Sequence, residues 1–211
     1  MFKIFNRESF HKIYLFLCSI IVSYGVFLGL IEDGTFQLLS LRMYTYQSNL
    51  LMVVGYIVII ALYDKESPIK YYISSSVLLA VIVTGLVYNF VLVPFNGNSV
   101  FYSSLENFLT HFLAPILALF NYLFFEQKGK LNFNNILVGM AYPAVYWLIF
   151  VSIGGFINFY PYFFMDPNSV GWPMLFVWFA LLLSIFFVLG YFLVSYDRIV
   201  SLNARTRTKT I

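Results

Sequence analysis

The sequence predicts an all-α polytopic membrane protein with six transmembrane helices and both termini cytoplasmic. Three observations lead there. Of 211 residues, 61% are apolar and 10% charged, whereas a soluble domain carries roughly 25% charged residues. The mean hydropathy of +0.85 is more than one water-facing core of this length can hide, so the surplus faces lipid. Finally, the apolar residues gather into six long continuous runs. Each is close to the ~20 residues that cross a bilayer as a helix, and none has the period-2 alternation of a membrane barrel.

The first run, 13–31, lacks a small-residue cleavage pattern and ends at Glu32-Asp33, so it reads as a helix that stays in the protein and not as a removable signal. Gly25 and Gly29 are spaced to let a neighbouring helix approach closely, either inside the chain or across a dimer seam. Asp33-Gly34 turns the chain into the second run, 45–63, which stops ahead of Ser67-Pro68. The third run, 71–93, ends at Pro94 and Asn96-Gly97-Asn98, and the fourth, 104–125, ends before Lys128-Gly129. The fifth spans 135–153, a loop from Pro161 to Gly171 follows, and the sixth spans 172–195. Pro115 and Pro143 fall inside the fourth and fifth runs as candidate kinks. The expectation is one six-span domain over residues 1–211.

Basic residues set the orientation, because Lys and Arg near span ends stay in the cytoplasm. With the N-terminus inside, Lys3, Arg7, Lys12, Lys65, Lys70, Lys128, Lys130, Arg198, Arg205, Arg207 and Lys209 are all internal, and Arg42 alone is external. The tail around Arg205, Arg207 and Lys209 fits a topology anchor or a contact with anionic lipid. The net charge is +3, but the basic residues are scattered, so no nucleic-acid partner is expected. The single cysteine, Cys18, excludes an intramolecular disulfide and a Cys-based metal site. No Asp/Glu/His cluster has metal-ligand spacing, and phosphate-binding and dinucleotide glycine motifs are absent. No cofactor and no metal are expected.

Polar groups in hydrocarbon are costly unless paired, so their placement is informative. The second run enters from outside as Thr45-Tyr46-Gln47-Ser48-Asn49, the fourth contains Glu106, Asn107, Thr110 and His111 near its outer start, and the third exits through Thr84, Tyr88 and Asn89. The inner halves, apart from Ser74-Ser75-Ser76, read as almost purely apolar. This pattern implies a polar pocket toward the outer leaflet, bordered by Tyr88. At helical spacing Thr45, Ser48 and Asn49 share one face, and Asn107 and His111 stand at i and i+4. The rise per residue puts His111 roughly 10 Å below the outer boundary, a depth suited to a lipid carbonyl. His11 is assigned to the opposite side, ahead of the first helix.

These residue types support acyl transfer. Thr45 or Ser48 offers a hydroxyl, neutral His111 a base, and Asn107 a group to fix the imidazole tautomer. Ser48 or Asn49 offers a donor to an oxyanion, and one such donor is typically worth ~3 kcal/mol. Glu106, at i−5 from His111, sits off its face yet lies near enough to orient it, and it also suits the positive end of the helix dipole. Plainer readings stand beside these: Thr45 as a helix cap, Ser48 and Asn49 as helix-packing groups, His111 as a packing or headgroup contact, and Tyr44, Tyr46, Tyr160, Tyr162 and Trp172 as interfacial anchors. The competing functional classes are a non-catalytic lipid binder or carrier using the same pocket, and a transporter. The latter is weakened by the lack of paired broken helices and of a mid-bilayer charge.

Three segments, Tyr44-Thr45-Tyr46-Gln47-Ser48-Asn49-Leu50-Leu51, Leu109-Thr110-His111-Phe112-Leu113-Ala114-Pro115 and Tyr160-Pro161-Tyr162-Phe163-Phe164-Met165-Asp166, resemble the bacterial branch of the androgen-induced and androgen-dependent TFPI-regulating protein family. The resemblance covers nearly the whole chain. Characterised animal members are intramembrane threonine hydrolases that cleave fatty acid esters of hydroxy fatty acids. The resemblance therefore implies Thr45 as nucleophile, His111 as base and a membrane fatty-acyl ester as substrate partner. It leaves the bacterial substrate and the oligomeric state open, and the roles given to Asn107 and Asn49 lie outside its motifs.

Overall fold

The computed structural model describes residues 6–95 and 104–209. Lys3 and the Asn96-Gly97-Asn98 turn lie outside the described residues, as do the side chains of Arg205, Arg207 and Lys209. Among the described residues, six helices are long and apolar enough to cross a membrane. They are α1 (Arg7–Gly29), α2 (Tyr44–Ala61), α3 (Ile69–Phe95), α4 (Leu105–Phe124), α5 (Phe133–Ile157) and α6 (Trp172–Lys209). The chain is an all-helical, multi-pass membrane protein divided into two compact units, Met1–Gln127 and Lys128–Ile211.

In the first unit, Asn6 caps α1 by accepting from the Ser9 N–H at 2.8 Å, so the helix starts six residues before the hydrophobic run. Asp33 and Gly34 both take positive φ, 48° and 73°, and close a two-residue hairpin between β1 (Ile31–Glu32) and β2 (Thr35–Phe36). Met43, in extended conformation, holds the cap position of α2. Thr45 is thus inside the helix, which removes its reading as a cap.

α1 packs on α2 and α4, and α3 packs on α2 and α4, so the four close into a ring. Leu15, Val22, Met52, Tyr56, Val77, Val81, Ala114 and Tyr122 fill its interior, while Phe16, Ile20, Val54 and Ile57 point outward. Lipid tails are as apolar as these side chains, so close fit and hydrogen bonds, more than water exclusion, hold such a ring. The glycines supply the fit. A Cβ on Gly25 would stand 2.8 Å from the Leu109 Cβ, and one on Gly29 would overlap the Tyr46 ring. Both glycines of the small-residue pair are therefore used within the chain.

Two of the helices carry a wide π turn, Tyr88–Leu92 in α3 and Leu109–Leu113 in α4. Each ends just before a proline, Pro94 or Pro115. A proline lacks the N–H that would bond the carbonyl four residues back, and its ring clashes with that carbonyl. Widening the preceding turn relieves both problems.

The end of this unit at the start of α1 is more polar than the sequence suggests. His11 lies within α1, buried, and not ahead of the helix. Its Nε2–H donates to Asn121 Oδ1 at 2.7 Å, and its Nδ1 lies 3.0 Å from the Tyr63 hydroxyl. Asn121 Nδ2 donates to Glu126 Oε1 at 2.7 Å, and Ser74 Oγ donates to the same oxygen. The His11 ring stacks on Phe125 at 4.7 Å. Each group is satisfied by a partner on another segment, which is what makes polar burial tolerable there.

In the second unit, Asn132 and Asn135 form a reciprocal capping box at the start of α5, and Asn158, at φ 49°, ends the helix in left-handed conformation. Gly154 leaves room for the Tyr160 ring. The loop after it packs Phe164 between Trp147 and Trp178, with centroids 6.0 and 5.3 Å away. Asp166 then caps a short helix by accepting from the Asn168 N–H at 2.8 Å. α6 runs 14 residues past the 195 boundary expected for it, because no Gly or Pro follows Tyr191 to stop it. Near its end the fully buried Asp197 accepts the Leu131 N–H at 3.0 Å.

Candidate functional site

The polar stripes of α2, α3 and α4 meet in one buried junction of the first unit. Thr45, Ser48 and Asn49 on α2, Thr84 on α3, and Thr110 and His111 on α4 are all buried. Asn49 spans the α2–α4 contact: its Nδ2 donates to the Thr45 carbonyl at 2.8 Å and to the Thr110 carbonyl at 3.3 Å. Ser48 spans the α2–α3 contact, with its Oγ 2.8 Å from Thr84 Oγ1 and 2.9 Å from the Thr45 carbonyl. Thr84 Oγ1 in turn donates to the Ala80 carbonyl at 2.9 Å.

His111 sits in the wide turn of α4 and Tyr88 in that of α3, and their rings stack face to face at 3.7 Å and 11°. The imidazole also hydrogen-bonds the Thr84 main chain. Its Nδ1 has no hydrogen-bond partner among the described residues. Donation from Nε2–H to the Thr84 carbonyl would leave the lone pair on Nδ1. Gly85 makes the approach possible, since a Cβ there would lie 2.7 Å from the His111 carbonyl oxygen.

The remaining candidates take other places. Asn107 uses its backbone N–H to reach the Ser104 cap at 3.1 Å. The wide turn Leu109–Leu113 begins between Asn107 and His111, and no hydrogen bond joins the Asn107 side chain to His111 Nδ1. The Glu106 carboxylate accepts from the hydroxyls of Tyr46, Ser104 and Thr110, each at 3.3 Å, and so ties the start of α4 to α2. The hydrogens of Ser48 and Asn49 are spent within the junction, which leaves neither with a spare donor for an oxyanion in this arrangement. The spacing of Thr84 with Tyr88, one turn apart on α3, was the available signal that this face belongs to the site. Nothing in residue type marked the wide turns except the prolines that follow them.

Fold and site together define a multi-pass helical membrane protein with a buried hydroxyl–amide–imidazole junction in its first four helices. Compared with family models, curated proteins and solved structures, the chain finds no match.

Proposed function

We propose that the chain is an intramembrane hydrolase of fatty-acyl esters, with Thr45 as nucleophile and His111 as general base. In this reading both termini are cytoplasmic, the membrane is a bacterial cell membrane, and the ester enters from the outer leaflet. The observation that carries it is the His111 imidazole: buried, stacked on Tyr88, and left with an unpartnered Nδ1, in the turn of α4 that packs on the helix bearing Thr45. The resemblance of the Thr45 and His111 segments to the intramembrane threonine hydrolase family supports the same pair.

In the reaction, Nδ1 takes the Thr45 hydroxyl proton as Oγ attacks the ester carbonyl. The alcohol leaves with that proton, and water releases the acid from the acyl-threonine. The test is labelling of the purified protein with a lipid-tailed fluorophosphonate, followed by mapping of the adduct. Attachment at Thr45, lost in Thr45→Ala, is expected; labelling that persists in that variant sinks the assignment.

The commitment of the Ser48 and Asn49 hydrogens favours a second reading, a lipid binder without turnover, because those groups stabilise no oxyanion as they stand. His111→Gln separates the two. Loss of a general base lowers hydrolysis by roughly 10²–10⁴-fold, whereas a binder with that substitution keeps most of its affinity.

A further inference from the structure

Asn49 is fully buried and His111 is 6% exposed, and each carries one acceptor, Oδ1 and Nδ1, with no hydrogen-bond partner among the described residues. The orientation of the Asn49 amide is fixed, because Nδ2 is held between the Thr45 and Thr110 carbonyls. That leaves Oδ1 as the free end of the side chain, and the Thr110 carbonyl that holds Nδ2 immediately precedes His111 in α4. Buried acceptors left unpaired cost stability unless something donates to them, and a water molecule, with two donors, satisfies two acceptors at once.

We propose that Asn49 is the positioning residue for the water that hydrolyses the acyl-threonine, an inference that rests on the hydrolase reading. The water donates one hydrogen to Asn49 Oδ1 and the other to His111 Nδ1, which aims its oxygen at the acyl carbonyl on Thr45. Attack forms the new C–O bond as Nδ1 takes the proton. The C–Oγ bond then breaks, and the proton passes from Nδ1 to Thr45 Oγ, releasing the carboxylic acid and restoring the enzyme. Asn49 works as an acceptor here, the reverse of the donor role its residue type suggests. Its effect falls on the second half-reaction.

The experiment follows p-nitrophenyl decanoate hydrolysis by the full chain in nanodiscs, with stopped-flow detection of p-nitrophenol and intact-mass detection of the decanoyl adduct. For Asn49→Ala, the burst of one equivalent is expected to be retained, steady-state turnover to fall roughly a hundredfold, and decanoyl-protein to accumulate. Asn49→Asp, assayed at low pH where the side chain is a neutral acid with an acceptor oxygen, is expected to recover turnover. A packing role alone predicts that burst and turnover fall together and that no adduct builds up, and that result overturns the proposal while leaving the hydrolase reading in place. An unfolded Asn49→Ala leaves Asn49→Asp to decide, since faster adduct release on protonation is required of it. Absence of any burst in the unsubstituted protein overturns both readings.

Discussion

Gly85 is the residue on which the junction closes. A methyl group there would stand 2.7 Å from a main-chain oxygen of α4, and a backbone atom has no rotamer by which to step aside. Gly85→Ala is therefore expected to cost about 1–3 kcal/mol, read as a lower melting temperature in detergent, and to loosen the Tyr88–His111 stack. Tyr63, just beyond α2, gives a separate handle on the other end of the unit. Burial raises its hydroxyl pKa above the ordinary 10.0, with the nearby Glu8 charge adding to the effect. The unfolded chain loses that proton first, so the associated stability is full below pH 10 and declines as pH climbs from there toward the raised native value. A melting series from pH 9 upward should show this decline, and Tyr63→Phe should flatten it. The identities of Thr45, Ser48, Asn49 and His111 were legible in the sequence, since polar residues at the ends of apolar runs stand out. The direction of each hydrogen was not, because an amide that donates and one that accepts are the same letter.

At the scale of the helices, length and hydropathy identify every span; caps at Asn6 and Asn132 move the starts of α1 and α5, and α6 runs on for want of a stop. The wide turns were harder to foresee. A proline in an apolar run predicts a kink, and Pro143 sits inside an uninterrupted α5, yet Pro115 is preceded by a five-residue wide turn. Replacing Pro115 with Ala restores the missing N–H to α4 and favours a regular helix, which turns His111 by about 100° per residue of register lost. We expect Pro115→Ala to melt no lower than the parent while fluorophosphonate labelling of Thr45 slows roughly a hundredfold. Unchanged labelling would show that the turn does not aim the imidazole.

For the molecule as a whole, the proposed orientation, drawn from the positive-inside pattern, predicts the β1–β2 hairpin outside and the α2–α3 loop in the cytoplasm. In a Cys18→Ser background, a membrane-impermeant maleimide should modify Thr35→Cys in intact cells and reach Glu66→Cys only after permeabilisation; both positions are exposed. Labelling with the opposite sidedness inverts the topology and places the Thr45 end of the ring in the inner leaflet. The division into two units was not legible in composition, because every span is comparably apolar. It follows from which helices share close contacts, and all the junction residues fall in Met1–Gln127.

The wide turns of α3 and α4 each hold one residue more than a regular helix would use over the same path. Gaps inside transmembrane helices are ordinarily forbidden when sequences are aligned, yet here a relative that lost one residue between 88 and 92, or between 109 and 113, together with the following proline, would keep its outer and inner segments in phase only by admitting such a gap. Distant kin are best sought with a scoring scheme that permits a single-letter deletion at those two places, since a rigid comparison sets every letter beyond the omission against the wrong neighbour.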